Sequence, residues 1–277
     1  GSDIETANPS INYYFGRKLD ATPSMDHIVT GTISYFESGG VSRPIGMAEV
    51  YKLNNGVWQR KGNRIKGDAY NTSVGNNLFG MQVSISSNGD RVAVVSRNQN
   101  NTAANQTNNG AIYIYQYNSS TQNWDILNTI WGVPTKTILY MEMTPDGEHI
   151  IYASNDIIKV LEYTPSGVSS WTQVGQDLSI DVSGLDISDN SQRIIVTNSL
   201  ANNQTGEIYV YDYNSSTNQW DIRGTVMDDG DATDYCGYDV SISDDGNIVA
   251  TPDDKLTPRF LKKLEEDGLK RILLKDE

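Results

Sequence analysis

The chain has 277 residues, 37% of them hydrophobic, and a formal net charge of −14. That balance argues against a nucleic-acid-binding or anionic-membrane-binding face, both of which need clustered Lys and Arg. One cysteine, Cys236, and two histidines, His27 and His149, leave no material for a disulfide framework or a Cys-rich zinc site.

The opening Gly1-Ser2 reads as a protease-cleavage scar, so the lack of a visible leader is silent on compartment. No apolar run reaches the 18 or so residues that a membrane-spanning helix needs. Residues 1–12 are taken as a lead-in, and a repeat begins at residue 13. Its first copy holds Phe15-Gly16, Ser24-Met25-Asp26-His27-Ile28-Val29, Gly46-Met47-Ala48-Glu49-Val50-Tyr51 and Trp58.

The second copy is the clearest. Phe79-Gly80 opens Met81-Gln82-Val83-Ser84-Ile85-Ser86, whose alternation of apolar and polar residues predicts a half-buried strand. Asn88-Gly89 is a hairpin turn, because Asn and Gly tolerate positive φ. Val92–Val95 reads as a strand buried on both faces, Ile112-Tyr113-Ile114-Tyr115 as a third strand and the segment around Trp124 as a fourth. The third copy holds Leu139–Met143, Asp146-Gly147, Ile157–Leu161 and Trp171. The fourth holds Gly184–Ile187, Ser188–Ser191, Gly206–Tyr211 and Trp220. The fifth holds Cys236–Ile242, Asp244–Asn247 and Ile248–Ala250, and there the pattern stops. Four antiparallel strands recurring every ~45 to 65 residues predict an all-β fold, a β-propeller of four to five four-stranded blades.

In this order the motifs resemble FG-GAP-type blades, the repeats of integrin α-chain propellers and many bacterial surface proteins. The resemblance covers residues 13–250, and the third copy departs from it by lacking Phe-Gly. It implies a secreted or cell-surface binding or adhesion module. Calcium-binding blades of that kind carry an Asp-x-Asp-x-Asp-Gly loop. Here the matching turns, Ser87–Asp90 and Asp244–Asn247, hold too few carboxylates, so ordinary turn chemistry is expected of them.

Two kinds of loop are candidate sites. Asp228, Asp229, Asp231 and Asp234 surround Gly230, and carboxylates at that density suit a Ca²⁺ ion or make a solvated acidic turn. No other cofactor is expected. Two Asn-, Gln- and Thr-rich loops, 98–109 and 198–205, join second to third strands in their repeats. Their adaptable amides, with Asn100, Asn105, Asn109, Asn202 and Asn203 as candidates, suit a glycan or protein ligand. Sequons fall at Asn71, Asn105, Asn118, Asn203 and Asn214.

No metal-binding His spacing, nucleophile elbow or phosphate-cradling loop is present. The favoured expectation is a non-catalytic module that uses propeller rim loops. The alternative is a propeller glycoside hydrolase or lyase, with converging carboxylates at the central channel.

Residues 251–277 break the pattern and carry seven of the 21 basic residues. Thr257-Pro258 and Gly268 frame a short C-terminal α-helix with Phe260, Leu261 and Leu264 as its apolar stripe. This tail is similar to a short segment of bacterial RNA polymerase β subunits, in a Leu-Thr-Pro-Arg, Lys-Lys-Leu-Glu-Glu, Gly-Leu-Lys series. It is expected either to be a chimeric join or to cap the last blade. An uncapped, open arc would expose a strand edge and favour dimerisation.

Overall fold

A computed structural model describes residues 12–13, 15–35, 46–67, 77–165, 170–227, 236–238, 240–242 and 248–249. The tail and its expected helix, the acidic loop at 228–234 and the turn at 244–247 lie outside the described residues. Among the described residues no helix is long and apolar enough to cross a membrane. The chain divides into two compact units, Gly1–Glu148 with Tyr163–Trp171, and His149–Glu162 with Thr172–Glu277.

Besides the short antiparallel pair Asn12–Tyr13 and Ser34–Tyr35, the first unit holds two larger antiparallel sheets in simple chain order. One comprises Lys18–Ala21, His27–Thr32, Met47–Asn54 and Val57–Arg60, with Ile65–Lys66 also paired to the third strand. The other comprises Phe79–Ile85, Arg91–Ser96, Ala111–Asn118 and Asn123–Trp131. The second unit holds the sheet Gly184–Ile187, Arg193–Asn198, Glu207–Asn214 and Gln219–Ile222, then the short pair Ser241–Ile242 and Ile248–Val249. The third repeat supplies four strands in the same order, Ile138–Met143, His149–Ser154, Ile157–Thr164 and Ser170–Ser179, divided between the units. Each sheet is a propeller blade.

Burial follows strand position. The second strands are buried along most of their length, as at Val92–Val95, whereas the fourth are more exposed, with Trp124, Ile130, Leu178 and Trp220 as their buried positions. In the first unit the core lies between its sheets: Val29, Val50 and Ile65 of one meet Phe79, Val83, Val92 and Trp124 of the next. In the second unit Ile195, Ile208, Val210 and Met227 meet Val240 and Ile242. Apolar burial of this kind, at ~25 cal/mol per Å², drives the stacking of one blade on its neighbour.

Two features of the repeat now have causes. A Cβ on Gly46, at the head of a third strand, would sit 2.2 Å from the Phe79 carbonyl oxygen, so the next blade's Phe-Gly turn docks only on glycine. A Cβ on Gly206 would likewise sit 2.0 Å from the Cys236 carbonyl oxygen. The turns between first and second strands close on their own side chains. Asn88 Oδ1 accepts from Ser86 Oγ at 2.7 Å and from the Asp90 amide at 2.9 Å. Asp146 Oδ1 accepts from Thr144 Oγ1 at 2.5 Å and from the Glu148 amide at 2.8 Å. These side chains stabilise hairpins.

Candidate functional site

In a four-stranded antiparallel blade, the loop from second to third strand and the exit of the fourth strand share one end of the sheet. The two amide-rich loops lie at such ends.

In the second blade, residues 98–109 fold back on themselves. The Asn108 amide donates to Asn100 Oδ1 at 2.8 Å, and the Ala104 amide to Asn101 Oδ1 at 3.2 Å. Asn105 closes a 3₁₀ turn in the left-handed region, at φ 54°, and is exposed. Asn109 differs: it is 0% exposed, and its Nδ2 donates to Gln106 Oε1 at 2.9 Å and to the Gly132 carbonyl at 3.4 Å. It pins the loop to the end of the fourth strand. In the fourth blade Asn202 and Asn203 are exposed, with φ of 49° and 59°, and Gln204 follows at 71°. Asn202 Nδ2 donates to Glu207 Oε1 at 2.7 Å. Three successive left-handed residues make a tight knuckle, a conformation that Asn tolerates better than most residues. Of the five predicted asparagines, then, Asn105, Asn202 and Asn203 present themselves to solvent, Asn100 is half-buried, and Asn109 is internal.

The first strands carry acids that the sequence reading did not single out. Asp20 Oδ1 accepts from the Ala21 amide, and its Oδ2 accepts from Ser84 Oγ at 2.9 Å and the Ile85 amide at 2.8 Å on the next blade. Asp186 repeats the arrangement with Ile187, Ser241 (3.1 Å) and Ile242 (2.8 Å). Burial pushes the Asp186 carboxyl up, against the pull of those hydrogen bonds. These acids stitch one blade to the next. Glu142, on the first strand of the third blade, pairs with Lys18 at 3.5 Å. Glu49 is buried between Arg64 (2.8 Å) and Arg60 (3.5 Å), and burial followed by the Glu49 charge pushes Tyr51 up to about 12.

His27 and His149 each begin a second strand. His27 is buried, its Nδ1 lies 2.9 Å from Asp26 Oδ1, and Lys61 Nζ lies 3.4 Å from its Nε2. Lys61 itself clasps the next blade through the Gly89 carbonyl at 2.7 Å and Asp90 at 2.6 Å, over the Tyr117 ring. Arg91 reaches the Gly147 carbonyl at 2.6 Å and Glu148 at 3.0 Å, over Tyr163. Among the described residues no group of three or more His, Cys, Asp or Glu could hold a metal ion. The residues proposed for calcium, Asp228, Asp229, Asp231 and Asp234, are not among those described.

No family model and no curated protein matches the sequence. Among solved structures the chain is similar to a candidate 6-phosphogluconolactonase from Bacteroides uniformis, with a TM-score of 0.52 at 10% identity over 83% of this chain and 75% of that one. A Lactobacillus plantarum protein (TM-score 0.46, 12% identity, 71% of this chain and 55% of that one) aligns more loosely. So does TolB of Acinetobacter baumannii (0.41, 14%, 74% and 42%). The chain spans about half the length of these last two. At 10% identity the first likeness establishes the fold alone.

Proposed function

We propose that this chain is a non-catalytic binding module of a secreted or surface protein, gripping a glycan or protein ligand through the loops that join second to third strands. The observation that carries the reading is a division of labour. Asp20 and Asp186, half-buried acids of the first strands, have both carboxylate oxygens committed to hydrogen bonds. The exposed ends instead offer uncharged amides at matching places in two blades, Asn105 in one and Asn202 and Asn203 in the other. An amide both donates and accepts, which suits hydroxyl-rich or peptide ligands. The Phe-Gly turn docked on a third-strand glycine supports an FG-GAP-like reading of the repeats, and with it the surface setting.

The test is a glycan array followed by binding of any hit, and of candidate protein ligands, to the triple variant Asn105→Gly, Asn202→Gly, Asn203→Gly. Glycine keeps the left-handed backbone while deleting the amides. We expect binding to weaken tenfold or more with unchanged melting. Equal binding by variant and wild type would refute the loops as the site.

A further inference from the structure

We infer that the second blade carries a subsite for a neutral sugar ring, with Trp131 as its stacking face and the amides of loop 98–109 as its hydrogen-bonding rim. The inference rests on the binding-module reading and narrows its ligand to one class.

Trp131 ends the fourth strand and is 36% exposed, whereas of the tryptophans of the repeat Trp124 and Trp220 are buried at 5% and 2%, and Trp58 and Trp171 are half-buried. It has no part in the repeat. In the second blade the strand register sets Ala111 opposite Trp131 and Ile112 opposite Ile130. In the first blade the corresponding pairs are Met47 with Lys66 and Ala48 with Ile65. Ile130 and Ile65 are both core residues, so Trp131 occupies the solvent-facing place that the first blade gives to a charged Lys66. An indole there exposes apolar surface for which core packing gives no reason.

Its neighbours define what would cover it. The chain leaving Trp131 is sewn to the loop: the Gly132 amide donates to the Gly110 carbonyl at 3.1 Å, Asn109 Nδ2 to the Gly132 carbonyl at 3.4 Å, and the Thr135 amide to the Thr107 carbonyl at 3.1 Å. Asn105, Thr107 and Asn108 are exposed on that same loop, and residues 98–109 contain no charged side chain. A pyranose has an apolar C–H face for a flat ring and a rim of hydroxyls that both donate and accept, and sites of this kind combine an aromatic platform with a few placed polar groups. A cationic ligand would find no carboxylate in the loop. An anionic polymer would meet the field of a chain with net charge −14.

Affinity electrophoresis in native gels tests the inference, with galactomannan, laminarin and dextran as neutral polymers and alginate as the anionic one. At least one neutral polymer should retard the wild type and alginate should not. Trp131→Ala should weaken that interaction at least tenfold, and Trp131→Phe, which keeps a flat ring, should stay within about threefold. Matched melting curves would show that the exposed site, and not folding, was altered. Retardation of Trp131→Ala equal to wild type would overturn the platform. If the triple loop variant then lost binding, the loop reading would stand without it. No retardation by any of the three neutral polymers would overturn the sugar class itself.

Discussion

Gly62 offers the sharpest test of how the blades are held together. It has φ of +77°, and a Cβ there would lie 2.8 Å from Trp124 Nε1, 2.9 Å from Trp124 Cδ1 and 3.2 Å from Tyr117 Cε2. The neighbouring carbonyl of Lys61 accepts the Trp124 indole N–H at 2.8 Å, and Asn63 Oδ1 accepts the Trp124 amide at 2.7 Å. Gly62→Ala therefore has three costs. The left-handed backbone costs ~1–2 kcal/mol for any Cβ. Overpacking a buried ring costs ~1–3 kcal/mol. Displacing the indole from its carbonyl costs ~1 kcal/mol. Gly56, with φ of +78° and nothing within 4 Å of its Cβ position, carries the first cost alone. Both glycines lie in the same unit, so both are read on one transition. In urea unfolding followed by tryptophan fluorescence, Gly62→Ala should lose ~2–4 kcal/mol more than Gly56→Ala. Equal losses would mean that the packed indole adds nothing to the union of the blades.

Two further predictions use the same repeat. Glycine stands four residues after Trp58, Trp171 and Trp220, as Gly62, Gly175 and Gly224, but Asn128 follows Trp124. Trp220 Nε1 donates to the Val174 carbonyl at 3.0 Å, beside Gly175, whereas the buried Trp171 Nε1 has no hydrogen-bond partner. Asn128→Gly should let the chain turn its carbonyl towards Trp171 and raise stability by ~1 kcal/mol in the same unfolding assay, and a loss would count against the argument. The second concerns acid. Hydrogen bonds from Ser24, then His27 and Thr22, hold the exposed Asp26 carboxyl well below its ordinary value of 3.8. A lowered folded-state value contributes stability that is present above 3.8 and lost as pH falls below it. Wild type should thus lose more stability than Asp26→Asn between pH 5 and pH 3, measured as urea midpoints at each pH. Parallel losses would contradict the linkage.

Much of the fold was legible because its causes are local. Alternation in Met81–Ser86, the apolar run Val92–Val95 and the turn Asn88-Gly89 each specify a strand or hairpin through neighbours within a few residues. The loop at 98–109 was legible for the same reason, since polar, amide-rich composition has no strand to join. The roles inside it were not. Asn109 looks like its neighbours in sequence, yet it is buried and ties the loop to Gly132, while Asn105 faces solvent.

What the sequence alone determined is the unit of construction: four strands, a Phe-Gly turn, a glycine heading the third strand and a tryptophan in the fourth. Tertiary structure decided what those residues touch. Asp20 meets Ser84 across 64 positions, and Asp186 meets Ser241 across 55, because stacking sets first strands of successive blades side by side. Trp131 and Trp124 share one strand, yet their different register positions leave the first 36% exposed and pack the second between sheets. Such pairings depend on how blades stack, and no short-range pattern encodes them, because burial and partnership belong to the packed sheets and not to the strand that carries the side chain.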